Sequence, residues 1–430
     1  MRNVVSKSSR ELVGPSTKPA VPPTGDMINL SSFDKAFGLY PFTSFHIFNN
    51  AIVEPAMTIK RALSQALVYY YPLAGRVTGA ANGGQLRISC TGEGVAFVAA
   101  TASCALKDVK LFDPPFAALL KELAVEYLAE ECGEADPLLL MQVTEFACGG
   151  FVVGMTWNHV VADGKGIAQF LQAVGDLARG LPRPSVLPVS CGDDSLPELP
   201  PLVAAMEKIM VRLENKQFAY LDITIPASVI RRVKAEFAGD VGYSGEPCSV
   251  FEAVAAVLWR SRTRAVFSDP DKPALLVFAA NVHKHIGAKH GYYGNCVTSQ
   301  VVVATSGEVA NSDVKDVVKL IRRAKEQIPA QFKNPGGVAM NGAARMEKQL
   351  AALSGYNAFF MASWRNIGFE AVDFGGGRPA RVMCHVGPTA VPSCVACLPG
   401  DGDGGGASVL LLCVKEEHVD AFLAELESLR

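Results

Sequence analysis

The sequence predicts an α/β protein of two domains, and three observations carry that expectation. The chain has 430 residues, more than one hydrophobic core serves well and suited to two domains of roughly 200 residues each. Strand-like and helix-like segments alternate throughout, in similar proportion and order in the two halves. Between the halves, "LPRPSVLPVSCGDDSLPELPP" at 181–201 puts six prolines into 21 residues, a composition that neither a helix nor a central strand holds. The expected layout is an N-terminal domain over 1–180, a crossover loop and linker over 181–214, and a C-terminal domain over 215–430, with a cleft between two α/β layers.

The elements follow in order. "NVVSKSSRELV" reads as an extended strand, and "GPSTKPAVPPTG" as a proline-rich turn. "LSSFDKAFGLYPFTSFHIFNN" is an aromatic-rich loop leading into a strand. From Met57 to Tyr70, apolar Ile59, Leu63, Ala66, Leu67 and Tyr70 recur at helical spacing, and Pro72 stops the helix. "GQLRISC" and "GVAFVAA" are short strands between glycine turns. A helix is expected around 117–131, then two strands, "LLLMQVTEF" and "GGFVVGMTWNHV", joined by a turn at Cys148–Gly150. After Gly164 the pattern is helical again, with Ile167, Phe170, Leu171, Val174 and Leu177 on one face and Gly180 at the end. Beyond the proline stretch come the strand "FAYLDITIP", a helix from 226, and the apolar helix "CSVFEAVAAVLWRSRTRAV". The strand "ALLVFAANVHKHI" and helices over 311–330 and 337–353 follow, then four strands containing "NAFFMASW", "RVMCHV", "SCVAC" and "SVLLLCV". An amphipathic helix from Glu416 to Leu429 closes the chain.

Composition narrows the function. A formal charge of -2 gives no electrostatic reason for a nucleic acid or an anionic membrane as partner. No apolar run approaches the roughly 20 residues of a membrane span. Eleven scattered cysteines and an N-terminus without an apolar leader point to reduced thiols in the cytoplasm.

"TWNHVVADGKG" at 156–166 holds the chemistry. A strand, His159-x-x-x-Asp163-Gly164, then a helix puts His159 near a strand end, where α/β sites gather. A neutral imidazole there can take a proton from an alcohol or amine, a step that typically supplies about 10²–10⁴-fold in rate. The alternative is a histidine that only caps the next turn. Asp163 either orients that imidazole or caps the helix and pairs with a distant cation. The four residues cross a strand, a turn and a helix start, so no helical geometry brings the two side chains together, and the structural role is favoured. No metal site is expected: "SCVAC" at 393–397 has one Cys-x-x-Cys and alternates like a strand. "GDGDGGG" at 400–406 lacks the lysine and following helix of a phosphate loop, and no G-x-S-x-G elbow is present.

With "YPLAGR" (71–76), "NHVVADG" (158–164), "YYGNCV" (292–297) and "DFGGGRP" (373–379), the chain resembles the plant BAHD acyl-CoA-dependent acyltransferases. "LSSFD", "VLWRSRTRA" and "SWRNIGFEAVDFG" extend the likeness over nearly the whole chain. The resemblance implies two chloramphenicol-acetyltransferase-like domains with a channel between them, a monomer, and no bound cofactor, acyl-CoA being the co-substrate. It implies His159 as general base and Asp163 as a mainly structural residue turned toward an arginine. Gly164, Asp373, Phe374, Gly375 and Gly377 are the remaining motif positions. Gly376 stands where the family's "DFGWG" has tryptophan, so a looser turn over Gly375–Gly377 is expected. "NVHKHIG" departs from an arginine-bearing strand, and His283 or His285 is expected to replace arginine as the partner of Asp163.

For the donor, Arg260, Arg262 and Arg264 are candidates to meet coenzyme A phosphates, with a solvated helix end as the alternative. Phe33, Phe37, Thr43, Thr298, Tyr356 and Trp364 are candidates to contact substrate, and the aromatic stock suits a flat hydroxycinnamoyl or benzoyl thioester. An arylamine such as tryptamine or tyramine is the expected acceptor, because the chain resembles grass members that make phenolic amides. An alcohol such as shikimate or quinate, or a catalytically idle binding relative, are the alternatives. The condensation domains of peptide synthetases carry a second histidine where this chain has Asn158.

Overall fold

The computed structural model describes residues 5–19, 27–36, 38–79, 85–109, 120–128, 132–189, 196–200, 203–204, 218–239, 246–333, 356–385, 391–400 and 405–430. They form two compact units. The first takes Met1–Leu196, Gly287–Cys296 and Arg365–His385; the second takes Pro197–Ile286, Val297–Trp364 and Val386–Arg430. The division is therefore discontinuous, where the sequence suggested one cut over 181–214. Two late segments, carrying "YYGNC" and "DFGGG", belong to the first unit, and hydrogen bonding explains both. Arg381–His385 (β14) pairs with Pro41–Phe48 (β4), and Tyr292 bridges in parallel to Val189.

The first unit's large sheet has the order β1-β7-β8-β9-β4-β14. Its members are Val5–Lys7 (β1), Val95–Ala102 (β7), Leu139–Phe146 (β8) and Phe151–Asn158 (β9), besides β4 and β14. Glu11–Val13 (β2) pairs β7 off this path. A small sheet joins Met27–Asn29 (β3), Arg87–Ser89 (β6) and Arg76–Thr78 (β5). β7 and β8 are parallel and the other neighbours antiparallel. Every residue of β9 is buried, as expected of a near-continuous apolar run covered on both faces. Ser32–Ala36 (α1) precedes β4. Pro55–Tyr69 (α2) buries Ile59, Leu63, Ala66 and Leu67 completely and packs against Gly164–Ala178 (α3). Pro55 starts α2, where its missing N–H costs nothing. Gly180 ends α3 at a φ of 86°, a conformation glycine adopts freely.

The expected helix over 117–131 is absent at 121–127, where the chain runs through turns and irregular structure. Its carbonyls are taken by side chains and not by a helical ladder: Gln142 Nε2 donates to the Glu122 oxygen at 2.8 Å and Lys7 Nζ to the Ala124 oxygen at 3.0 Å. The backbone also presses on Gly154 of β9, where any Cβ would collide with the Leu123 carbonyl.

The second unit's sheet is Leu221–Ile225 (β10), Ala407–Leu412 (β16), Ser393–Cys397 (β15), Ala358–Ser363 (β13), Pro273–Asn281 (β11) and Val297–Thr305 (β12), in that spatial order. Ala227–Ala238 (α4), Val250–Val266 (α5), Ser306–Asn311 (α6) and Val314–Glu326 (α7) follow the expected periodicity. A capping box between Ser249 and Glu252 starts α5. Ile328–Lys333 (α8) restarts after a break at Gln327, just before Pro329, and Val419–Glu427 (α9) closes the chain. The helix expected over 337–353 lies outside the described residues. No helix of the described residues is long and apolar enough to cross a membrane.

Candidate active site

β9 delivers the motif, and the turn that follows is held from several sides. Asn158 Oδ1 accepts from Val160 N at 3.0 Å, which bends the chain as β9 ends. His159 N donates to the Tyr40 carbonyl at 3.0 Å, and Trp157 Nε1 donates to the Ala162 carbonyl at 3.1 Å. Asp163 is then the N-cap of α3, extended at φ -79°, ψ 177°, with Oδ1 accepting from Gly166 N at 2.9 Å. Gly166 sits where a side chain would collide with the Tyr293 carbonyl.

His159 is 8% exposed, and the Phe42 ring meets it edge-on, centroids 4.7 Å apart. Burial disfavours the charged imidazole and lowers its pKa to about 4; its own carbonyl and the Asn295 side chain pull weakly the other way. The ring is therefore neutral near pH 7, the state that accepts a proton.

Asp163 does not bond to that ring. Its second oxygen accepts from Cys296 N at 3.0 Å. Burial raises its pKa, against the two amides and the charge of Lys165. Both carboxylate oxygens thus accept from backbone N–H groups of the same unit, whereas His283 and His285, the partners expected from sequence, belong to the second unit. A helix N-terminus and the Cys296 amide supply the carboxylate with its donors. His283 lies beyond β11, with its N–H on Asn281 Oδ1 at 3.2 Å.

Two residues outside the expected set complete the site. Asp34, fully buried on α1, accepts from Ser31 N (2.9 Å) and Ser31 Oγ (2.7 Å) on Oδ2. Its Oδ1 accepts from Asn295 N (3.1 Å) and Asn295 Nδ2 (2.9 Å). Asn295 Nδ2 also donates to the His159 carbonyl at 2.9 Å. A readable signal existed for Asp34: Ser31-x-x-Asp34 has capping-box spacing, and Ser31 Oγ accepts from Asp34 N at 3.2 Å.

The other candidates scatter. Thr43 Oγ1 lies 2.8 Å from Thr156 Oγ1 across the β4–β9 pair. Phe33 is completely buried as core, and Phe37 lies outside the described residues. Thr298, Tyr356, Trp364 and the three arginines belong to the second unit. Thr298 Oγ1 is buried without a hydrogen-bond partner among the described residues. The backbone N–H of Trp364 donates to the Ala396 carbonyl at 2.8 Å. Tyr356 stacks on Phe218 and its hydroxyl accepts from Lys415 N at 2.9 Å, so it is part of that unit's packing.

Arg262 is a correction. It is 1% exposed, donates to the Cys413 carbonyl at 2.8 Å, and lies 4.8 Å from the centroid of the Tyr356 ring, so no phosphate reaches it. Residues two apart on a helix point about 200° apart, which sends Arg262 inward when Arg260 and Arg264 face outward. Arg260 Nε donates to the Ser312 carbonyl at 2.9 Å and Arg264 pairs with Glu425 at 3.1 Å.

The "DFGGG" segment is a turn tied by its own aspartate. Asp373 Oδ1 accepts from Gly375 N at 2.7 Å and Gly377 N at 2.9 Å, with φ of 113° and 99° at the two glycines. The Arg179 guanidinium bonds the Asp373 carbonyl, and Phe374 packs against Phe48 with centroids 5.3 Å apart. The expected looser turn is instead pinned at both ends. A Cβ on Gly376 would lie 2.9 Å from Ile52 Cγ2 and 3.2 Å from the Asn50 oxygen, so neighbouring chain occupies the space an indole would enter.

The model of the Transferase family matches residues 4–429. Acyl transferase 15 of Oryza sativa subsp. japonica is 44% identical, covering 100% of this chain and 99% of its own length. A myricetin 3-O-glucosyl 1,2-rhamnoside 6'-O-caffeoyltransferase of Crocosmia x crocosmiiflora is 33% identical, covering 99% of each. Benzyl alcohol O-benzoyltransferase of Nicotiana tabacum is 30% identical, covering 99% and 93%. The crystal structure of vinorine synthase shares the fold, with a TM-score of 0.75 over 99% of this chain and 98% of that one at 20% identity. The chain belongs to the Transferase family and is a BAHD acyl-CoA-dependent acyltransferase.

Proposed function

We propose that this BAHD acyltransferase moves a hydroxycinnamoyl or benzoyl group from its coenzyme A thioester to a hydroxyl, with His159 as general base. The observation that carries the reading is the buried imidazole at the end of β9, held by its backbone and neutral near pH 7. The imidazole takes the acceptor O–H proton as the oxygen attacks the thioester carbonyl. The C–O bond forms, the tetrahedral oxyanion collapses, the C–S bond breaks, and the imidazolium returns the proton to the departing thiolate. No covalent enzyme intermediate is needed.

Two caffeoyltransferases and a benzoyltransferase among the relatives are named for an acceptor oxygen, which favours the hydroxyl over the arylamine expected from sequence. Arg260 and Arg264 remain the arginines proposed for coenzyme A phosphates, each having to exchange a present partner. A monomer in the cytoplasm is the proposed state.

The test pairs p-coumaroyl-, feruloyl- and benzoyl-CoA with pooled alcohols, shikimate, quinate, aryl amines and polyamines. Products are read by mass, with His159→Ala alongside. An ester that disappears in the variant is expected. An amide moves the acceptor to nitrogen, and a product that persists in His159→Ala removes the histidine from the mechanism.

A further inference from the structure

Parallel pairing of β7 with β8 sets Ala102 opposite Phe146 at the ends of the two strands. Two residues further on, each chain segment carries a cysteine, Cys104 and Cys148. Equal steps along parallel neighbours keep partners abreast and on the same side. The segments do not part beyond the strands: Ala147 N donates to the Cys104 carbonyl at 3.1 Å, and Leu106 N donates to Cys148 Sγ at 3.4 Å. Gly150 closes the packing, because a Cβ on it would lie 2.4 Å from Leu106 Cδ1. The Cys148 thiol is therefore turned toward the segment that carries Cys104. Neighbouring strands lie about 5 Å apart, within the Cα separation that a disulfide spans.

The two thiols differ. Among the described residues Cys148 is the one exposed cysteine, Cys90 and Cys104 are half-buried, and the rest are buried. The Leu106 N–H, helped by the Gly150 amide, holds the Cys148 pKa below the ordinary thiol value, against burial and the Asp108 charge. Burial pushes Cys104 up, and the negative charges of Asp108 and Cys148 push the same way. We propose that Cys148 and Cys104 form a thiol–disulfide couple that takes small disulfides such as glutathione disulfide, with Cys148 attacking and Cys104 resolving. The Cys148 thiolate attacks one glutathione sulfur; a mixed disulfide forms and the other glutathione leaves as thiolate, which takes up the proton Cys148 released. Cys104 then attacks the Cys148 sulfur, and its proton passes to the second departing glutathione. Two protein thiols are oxidised and one glutathione disulfide is reduced to two thiols. The new bond ties the end of β7 to the turn before β9, the strand whose far end leads to His159. The couple depends neither on His159 as base nor on the acyl acceptor.

The full chain, reduced and desalted, is treated with glutathione disulfide near neutral pH, and unreduced digests are read by mass. Cys104→Ser and Cys148→Ser are treated alongside. In the wild type the Cys104 and Cys148 peptides are expected to become linked, with two of the eleven thiols lost and both restored by dithiothreitol. Cys104→Ser should stop at glutathione on Cys148. Cys148→Ser should take up glutathione at Cys104 at least about tenfold more slowly than the wild type does at Cys148. The bond closes a loop of about 45 residues, so the linked protein should melt roughly 5–10 °C above the reduced one. Brief labelling of the untreated wild type with iodoacetamide should mark Cys148 first, and it carries the test if a variant does not fold. Glutathione left on wild-type Cys148 without a link, a link to any other cysteine, or first labelling at Cys90 or Cys191 overturns the couple. A linked protein that melts no higher than the reduced one overturns the tie between β7 and the turn.

Discussion

Replacing Asp163 by alanine removes the one side chain that caps α3 and also holds the Cys296 amide. Two buried backbone N–H groups then lose their acceptor. Each such group costs about 1–3 kcal/mol when left unsatisfied, and loss of an N-cap alone costs about 1 kcal/mol. Part of this is returned, because the carboxylate is itself expensive to bury, as its raised pKa records. The net expectation is about 2–4 kcal/mol. At about 2–4 °C per kcal/mol for a domain of this size, the melting midpoint falls by roughly 5–15 °C. Asp163→Asn sits between: its amide oxygen can still cap Gly166, but its NH₂ meets the Cys296 N–H, donor against donor. Circular dichroism melts at pH 7.5 measure all three proteins, with thiol release as the activity readout. An Asp163→Ala protein melting within about 2 °C of wild type would show that neither amide depends on the carboxylate, and the structural account of the motif aspartate would fail.

Three further outcomes follow. With a hydroxyl acceptor, kcat/KM should rise through an acid limb near the His159 pKa of about 4 and stay flat from about pH 5 to 8; a limb near 6.5, or a rate still climbing at pH 8 as an amine would require, contradicts it. Stability should move with acid too. The folded pKa values of His46 and His159 are lowered to about 3 and about 4, so the unfolded chain takes up their protons first as pH falls below 6.5. Stability is full above that pH and declines below it by up to about 1.4 kcal/mol per pH unit per histidine, until the folded values are reached. Asp34 and Asp163, pushed up by burial, act in the opposite sense, so the check is whether His46→Leu flattens the urea midpoint between pH 6.5 and 5. Gly376→Ala should cost about 1–3 kcal/mol by overpacking Ile52 and Asn50, with turnover per folded molecule unchanged; a Gly376→Trp protein that melts higher than wild type would refute this.

Periodicity found what depends on local sequence. The stripe from Ile59 to Leu67, the largely apolar β9 and the helix after Gly164 each carry their own pattern, and each is present. Residues 121–127 misled for a physical reason: they tolerate a helix, but Gln142, Lys7 and Gly154, all distant in sequence, take carbonyls and packing from this stretch. Arg262 misled in another way. Three arginines in five residues resemble a basic patch until helical geometry turns the middle one inward. The discontinuous boundary was not legible at all, because β14 joins the first sheet by pairing with β4 across more than 300 residues of chain, and periodicity carries no information on such pairings. His159 and Asp163 were legible as a pair. Asn295, which donates to the His159 carbonyl, was legible only within a stretch shared with a family, and Asp34, which holds Asn295, also through its capping-box spacing from Ser31.

The spacing of the motif now has a physical reading. One residue ends the strand, one carries the imidazole, three close the turn, and the aspartate begins the helix. Four residues is therefore the length of a strand-to-helix turn, not the reach of an aspartate to a histidine. A turn of that length does not by itself hold an imidazole still. The restraint comes from segments far apart in the chain: Tyr40 on the His159 amide, Asn295 on its carbonyl, Cys296 on Asp163, and Asp34 behind Asn295. The contacts made by Asn295, Cys296 and Asp34 are buried, and buried hydrogen bonds lose heavily if a partner is missing. For the same reason the motif alone is weak grounds for assigning a base. The motif together with Ser31-x-x-Asp34 and Asn295-Cys296 is much stronger, because together they supply the distant contacts that hold the motif's backbone and its aspartate.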